Sequence, residues 1–599
     1  MKQTLQTMQQ HMVGLFWKIV AEKEDITLDG VPGYNEKAQF VGGKVINFSC
    51  YVVLELLKDT ADYERGLAAL KDVIRMVSGM KMETWGILNG VIGLRRLQLA
   101  GLLPAVVEAD TMDVLKASMD WRTFVDVSDN YALIDKPTNY YGVAFGIARH
   151  REMLGWEPEG YTEILLNCLM RHIESYSGEF CYMDETKGEG RFDRYSILIP
   201  SEVTSLLLAG GMEIPELIHK MLNNSAHIFL NLANRAGTGF SYGRSIGAYG
   251  DTAALEVLSA AALLPGIYTE EEKTLALGYS LRIVKEFVSF WHDEDMQSIN
   301  MWDKGRKTDN YRNKNRILGE NLSLHMQVIN CLEHWTKAGI DNFEEPEGWE
   351  ELLETLDARS FIRFSKHDYD RGLVIVRDSL DVWSLPLING GTGYYDKDPY
   401  LPVPRQNYVS EGVPECRHGA MVPQVILADD RRLMPIAYIT DIDVKDEDGV
   451  YTVVCKQNNL CLTGGKSPQP ADDASVVTTY RFRSGMIERE DVFHIGSSWD
   501  VKEIILEFQT FSNNPNIKDA LAAFSDGSIR SMAGSGYDTC ETEGIEADGS
   551  HDTPHGRLNS RIVWRKHGIP ENGTVRVQWQ MNVNGENGTK WGVSQRLVG

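Results

Sequence analysis

Basic residues are in short supply. Lys and Arg number 60 against 85 Asp and Glu, a formal charge of −25 over 599 residues. A body this acidic repels phosphate backbones and anionic lipid surfaces, which argues against nucleic acid and membrane as partners. Cysteine is scarce too: Cys50, Cys168, Cys181, Cys331, Cys416, Cys455, Cys461 and Cys540 are scattered, with no CxxC pair. Neither a zinc knuckle nor a disulfide framework is indicated, and reduced thiols in a cytosol are the simplest reading. No apolar run reaches the length of about 18 residues that a membrane-spanning helix needs. The opening MKQTLQTMQQHMVGLFWKIVAEKEDI lacks the unbroken apolar stretch of a signal peptide and reads as an amphipathic helix. A cytoplasmic location is expected, or a secreted or periplasmic one if a leader has been removed. Low-complexity segments and long like-charge runs are missing, so extensive disorder is not expected. Nor is there a dinucleotide fingerprint, a P-loop, a GxSxG elbow or an HExxH pair.

What is present divides into two halves. Up to about residue 350 apolar residues recur at helical spacing. The clearest runs are Leu5–Ala21, Val45–Lys58, Arg65–Ser78, Trp85–Ala100, Tyr141–Leu154, Tyr161–Ser175, Ser201–Ala209, Pro215–Ala233, Thr252–Leu264, Glu270–Phe290 and Asn321–Ala338. Breakers such as Pro104, Pro158, Pro200, Gly237 and Pro265 separate them. Helices with short links pack as antiparallel hairpins, and a row of hairpins predicts either a solenoid or a closed α/α toroid. From Phe361 onward short β-rich runs alternate with turn residues, for example Gly372–Arg377, Met434–Ile442, Val450–Lys456, Ser475–Phe482, Val501–Phe511, Ser560–Lys566 and Thr574–Asn582. That pattern predicts an antiparallel β-sandwich. The expected domains are therefore 1–350 and 351–599, joined through Glu344–Asp357.

Five segments concentrate chemistry-bearing residues. Phe240–Asp251 (FSYGRSIGAYGD) holds Tyr242, Arg244 and Tyr249, with Gly243, Gly247 and Gly250 allowing close backbone approach. Asp251 or Thr252 is expected to cap the following helix, which would place Tyr249 at a helix N-terminus, where a phenolate is favoured. The bland alternative is a tight loop with aromatic packing. Lys136–Gly142 (KPTNYYG) carries Asn139, which reads equally as an N-cap or as an amide for a ligand carboxylate. Its Tyr140 and Tyr141 read as a sugar-stacking platform or as core. Tyr182–Tyr195 (YMDETKGEGRFDRY) is dense in charge, with Asp184, Glu185, Arg191, Asp193, Arg194 and Tyr195. Its arginines suit bidentate carboxylate binding, or pair locally on a solvated loop. The stretch 302–325 is the basic island of this acidic chain: Lys304, Arg306, Lys307, Arg312, Lys314 and Arg316, with Trp302 and Tyr311 interleaved and Glu320 able to orient an arginine. The last segment is Pro414–Gly419, with Arg417 and His418. Trp383, Tyr394, Tyr395 and Tyr400 are nearby sugar-contact candidates. His551 and His555 leave room for a structural divalent metal, though no spacing rule favours one; no cofactor is expected.

A helical half followed by a β-sandwich, at this size and with these segments, resembles the polysaccharide lyases built on an (α/α) toroid plus an antiparallel β-domain, such as the heparinase II, alginate and chondroitin lyase groups. The resemblance implies β-elimination at a uronic acid, with glucuronate the first expectation, including lyases of the rhamnose–glucuronate type. Such a reaction neutralises the sugar carboxylate, removes the adjacent proton and protonates the leaving oxygen. The implied catalytic residues are Tyr249, then Tyr242, with Arg244, Asn139 and a β-domain histidine, His418. Substrate contacts would come from Arg194, Tyr195, Tyr140, Trp302, Tyr311, Arg312, Arg316 and Glu320. A phenol titrates near 10, so a basic tyrosine is expected to need a cation beside it. The implied partner is an anionic oligo- or polysaccharide, and an oligomer is compatible with the sequence. Two other functions stay open. One is a glycoside hydrolase using a carboxylate pair from Asp184, Glu185, Asp193 and Asp251. The other is a non-catalytic glycan-binding protein.

Overall fold

The computed structural model describes residues 1–583, apart from 39, 177–178, 188–190, 305, 307–311, 367, 379–380, 389–399, 407–420, 464–468, 526–528, 550 and 554–555. The α-helices of the described residues are α1 Lys2–Glu22, α2 Val41–Tyr51, α3 Tyr63–Ser78, α4 Thr84–Leu99, α5 Leu103–Val106, α6 Ala109–Ser118, α7 Tyr140–Met153, α8 Tyr161–Tyr176, α9 Arg194–Ala209, α10 Glu216–Leu232, α11 Ala248–Ala261, α12 Glu270–Glu286, α13 Ile317–Lys337 and α14 Trp349–Glu354. None is long and apolar enough to cross a membrane.

The helices form a closed ring. Around its inner wall α2 packs on α4, α4 on α7, α7 on α9, α9 on α11, α11 on α13, and α13 returns to α2. That last contact decides for a toroid over a solenoid. Helices α3, α8, α10 and α12 lie outside on α2, α7, α9 and α11. Each carries the chain back, so the inner helices run in the same direction and present their N-termini on one rim. The inner helices are apolar nearly all round, as burial on every side requires. Every residue of α2 is buried, including Lys44 and Asn47. Glycine permits the tightest crossing. A Cβ on Gly43 would sit 1.7 Å from the Gly86 carbonyl oxygen of α4.

Pro200, expected to separate helices, instead sits inside α9. It forfeits one backbone hydrogen bond. Burial of Ile197, Leu198, Ile199, Pro200 and Ser201 holds the helix together across it. The expected joint contributes α14, whose Trp349 is buried and donates from Nε1 to Leu275 O at 2.9 Å.

A three-stranded sheet (Arg359–Lys366, Asp370–Asp378, Asp381–Leu387) comes next. It packs on the toroid: Phe364 meets Tyr182 and Phe192 at ring separations of 4.9 and 5.5 Å. Arg377 donates to Asn231 O and Ala233 O at the end of α10, both at 3.0 Å. Two larger antiparallel sheets follow, of seven and eight strands. Their facing sides share one core, with Leu506, Phe508, Ile562 and Trp564 from one sheet and Val453, Tyr480, Ile487 and Trp579 from the other. Strict burial alternation along Ala474–Arg483 and Met486–Ile495 is the signature of a sandwich strand with one wet face. The run Met434–Ile442, expected as one strand, is split: Arg432–Met434 belongs to the seven-stranded sheet and Asp441–Glu447 to the other, so the intervening residues cross between layers.

Candidate functional site

The inner rim gathers residues that are far apart in sequence. Glu320, in the first turn of α13, is fully buried and takes its partners from four directions. Its Oε1 accepts from Arg312 at 3.0 Å and lies 2.8 Å from Arg316. Its Oε2 accepts the Tyr249 hydroxyl and lies 3.9 Å from Lys44 Nζ. Burial disfavours the carboxylate, but Arg312, Arg316 and Lys44 outweigh it and hold Glu320 well below the ordinary value. The Arg312 guanidinium also lies 3.5 Å from the centre of the Tyr249 ring and donates to Ser245 Oγ at 3.1 Å.

Tyr249 occupies the first turn of α11, as expected, but the helix begins earlier than its cap residues implied. Gly247, at φ 69°, is the N-cap. Asp251 does not cap; its carboxylate accepts from Gly239 N at 2.8 Å and from Trp291 Nε1 at 2.7 Å. The expected phenolate is also corrected. Burial, with Glu320 adding to it, pushes the Tyr249 phenol up despite Arg312, so Tyr249 rests as a neutral hydroxyl.

Arg244 is not the cation beside Tyr249. Its Nε donates to Asp193 Oδ2 at 3.0 Å, its other end binds Glu185, and its guanidinium lies 4.5 Å from the Tyr195 ring centre. Tyr400, from the segment after the three-stranded sheet, donates to the same Asp193 oxygen at 2.8 Å. This cluster is charge-compensated: Arg191 adds a second cation 3.3 Å from Glu185. Asp193 meanwhile caps α9 through Tyr195 N. Next in the chain, Arg194 donates to Tyr249 O at 2.7 Å, while its second terminal nitrogen is buried without a partner.

Asn139 sits at the N-cap of α7 yet makes no side-chain cap bond, and its Oδ1 is buried and unpartnered. The preceding Thr138 ties it to the rim, its hydroxyl 3.0 Å from His172 Nε2 and 3.5 Å from Glu185 O. A continuous chain of contacts therefore runs from Asn139 through Glu185, Arg244, Asp193 and Arg194 to Tyr249, Glu320, Arg312, Arg316 and Lys44.

The remaining candidates fall into place around it. Tyr242 is fully buried, its ring 4.1 Å from Phe240; its hydroxyl has no partner, and burial with nearby Tyr182 and Asp193 pushes it well up. Among the described residues no cation is placed to make it a base. Tyr140 packs edge-on to Trp85 at 6.4 Å and to Phe124 at 6.2 Å, with Lys136 over its ring. Trp302 donates from Nε1 to Arg312 O at 3.0 Å, bracing that arginine. The carboxylates weighed for hydrolysis are engaged: Glu185 and Asp193 on Arg244, Asp251 as above, and Asp184 on Thr186 N at 2.8 Å. Tyr311, Arg417, His418, Tyr394, Tyr395 and His555 lie outside the described residues. Among the described residues no group of three or more His, Cys, Asp or Glu is arranged to hold a metal.

The chain matches no model of a known protein family and no curated protein sequence. In fold it is similar to two solved lyases. The chondroitin AC lyase of Streptomyces coelicolor A3, in complex with chondroitin sulphate, gives a TM-score of 0.56 at 11% identity, over 98% of this chain and 81% of that one. A Paenibacillus xanthan lyase gives 0.51 at 9% identity, over 99% of this chain and 58% of that one. The chain shares its fold with these two proteins. At this identity the likeness is one of architecture, the helical toroid followed by the β-sandwich.

Within this fold, sequence reasoning missed three rim residues. Lys44 hides in the apolar run VGGKVINF, Trp85 opens α4 at the same rim, and His172 braces Thr138. The shared signal was position: each faces the N-terminal end of an inner helix or the loop beside it, which becomes visible only once the ring is closed.

Proposed function

We propose that this protein is a lyase that cleaves a glycosidic bond to a uronic acid, with glucuronate the first candidate, by β-elimination. The observation that carries this reading is the neutral Tyr249 hydroxyl bonded to a Glu320 carboxylate that three cations hold ionised, on the same rim as the unpartnered Asn139 amide oxygen and the unpartnered Arg194 nitrogen. Around Glu320 the cations exceed the anions, so an incoming carboxylate meets a positive field in a chain that is acidic elsewhere. The Asn139 amide NH2 and Arg194 donate to the sugar carboxylate and acidify the adjacent C–H, while the Asn139 amide oxygen accepts from a sugar hydroxyl. Tyr249 is the general acid: as the C4–O bond breaks and the C4=C5 double bond forms, its proton passes to the leaving oxygen. His418 is the proposed base for the C5 proton, since neither tyrosine of the 242–249 loop is ionised at rest. Tyr140 and Trp85 supply a stacking surface for a flanking sugar.

The test is a screen of glucuronate-, iduronate-, mannuronate- and galacturonate-containing glycans for the ultraviolet absorbance of an unsaturated uronate. Tyr249→Phe is expected to lower kcat by about 10²–10⁴, the usual contribution of a positioned proton donor, with substrate affinity retained. New reducing ends without that absorbance would point to a hydrolase, and binding without product to a glycan-binding protein.

A further inference from the structure

Lys44 is 5% exposed and comes from the first turn of α2, the helix on which α13 closes the ring. Its stem runs beside the α13 backbone, where a Cβ built on Gly319 would lie 3.6 Å from Lys44 Cδ. Its ammonium stands 3.9 Å from Glu320 Oε2, the oxygen that also accepts the Tyr249 hydroxyl. The Phe40 ring covers it at 5.8 Å and carries Arg316 at 5.1 Å. The charged groups facing Lys44 are Glu320 from α13 and, from the segment before that helix, Arg316 and Arg312. Tyr249 faces the same carboxylate from α11, and α3 and α4, which also pack on α2, add no charge to this set.

This arrangement bears on the moment at which Tyr249 gives up its proton. A phenolate then develops directly beside the Glu320 anion; Arg312 over the Tyr249 ring and Arg316 offset part of the repulsion, and positive charge on the shared oxygen offsets more of it. Arg312 and Arg316 both bind the other oxygen, Oε1. Lys44 is the cation on Oε2. Resting on the elimination reading above, we propose that Lys44 is a positioning residue for that reaction: its ammonium holds Glu320 Oε2 so that Tyr249 can release its proton to the leaving oxygen.

The proposal carries a pH signature. Burial, opposed by Glu320 and reinforced by Arg316 and Arg312, pulls Lys44 down to about 8. The ammonium is therefore present below that value and lost as pH rises through it, and turnover falls with it. The experiment measures kcat and KM against pH for the wild type, K44M and K44R, with the unsaturated product as readout. K44M is expected to lower kcat about 10- to 100-fold, equivalent to one or two pKa units in the acid, with KM within about twofold and without the alkaline limb. K44R keeps a charge that does not titrate in this range, so it recovers turnover and moves the limb upward. If K44M does not accumulate as folded protein, the K44R limb decides alone. An active wild type with K44M unchanged in kcat, or with K44R keeping the wild-type limb, overturns the role of Lys44 and leaves the elimination reading standing. A wild type that forms no unsaturated product on any uronate glycan overturns both.

Discussion

Asn139 stands at a helix N-terminus without using its side chain there, since Oδ1 has no partner and the cap bond is unmade. A buried acceptor left in that state costs stability; a sugar hydroxyl completes it on binding, while the amide NH2 is the donor that meets the sugar carboxylate. Asn139→Ala is thus expected to change stability by under about 0.5 kcal/mol, because no native bond is lost. Turnover is expected to fall about 100-fold or more, the scale of removing one preorganised donor. Thermal melts and kcat separate the two effects. A loss of about 1 kcal/mol with turnover intact would make Asn139 an ordinary cap. Glu320→Gln should behave differently, since it strands Arg312, Arg316 and Lys44 together inside the ring. A loss of about 3–5 kcal/mol is expected in chemical denaturation, the cost of buried charges without their counterion. A variant as stable as the wild type would mean that the three cations reach water.

At the scale of elements, the toroid depends on close approach between inner helices, and α2 against α4 is the tightest place. With a Cβ only 1.7 Å from the Gly86 carbonyl, Gly43→Ala forces the two helices apart. Overpacking of this kind costs about 1–3 kcal/mol and more where backbone must move. Because Lys44 is the next residue, turnover should fall as well, which melts and kcat measured together would show; an unchanged melting temperature would place the crossing elsewhere. The helices themselves were legible as apolar periodicity, and the change of period near Asp357 marked the passage to strands. Pro200 was misleading because a buried environment on all sides overrode the local penalty of proline, a tertiary effect that no local pattern encodes. The Tyr249 loop, Asn139, Arg194 and the 302–325 island stood out as candidates from residue type and spacing, and ring closure brings Asn139, Arg194, Tyr249, Arg312 and Arg316 to one rim. Their partners did not stand out. Arg244 looked like the cation for Tyr249 because it is five residues away in sequence, whereas ring closure gives that place to Arg312, and Lys44 resembled one more residue of an apolar helix.

On the scale of the whole molecule, the ring must also hold its N-terminal helix: α1 buries Met8, Met12, Leu15, Phe16 and Ile19 against it, and beside this apolar face three imidazoles meet. His11 of α1 lies 4.6 Å from His292, which follows α12, and His292 lies 5.0 Å from His325 of α13. Both ring nitrogens of His292 are buried without a partner, as are Nδ1 of His11 and Nε2 of His325. Glu294, near His11, is the acidic group in this neighbourhood. Burial, with His325 and His11 adding to it, holds His292 well below the ordinary value, and burial brings His325 to about 4. The sign follows from linkage. A histidine depressed in the fold stays neutral there while the unfolded chain takes up its proton below about 6.5, so stability is lost as pH falls through that value. The raw acid profile mixes this with Glu185, Glu202 and Glu256, which burial pushes up and which therefore lose stability in the opposite direction, as pH rises. The decisive comparison is a difference. His292→Phe keeps an aromatic ring between His11 and His325 and removes the titrating group. Near pH 8 its stability should match the wild type, and below about 6.5 it should become the more stable protein, by up to about 1.4 kcal/mol per pH unit. Denaturant midpoints measured at a series of pH values give that difference directly. Parallel curves for the two proteins would show that His292 takes up its proton as readily in the fold as in the unfolded chain, and its depressed titration would then be wrong.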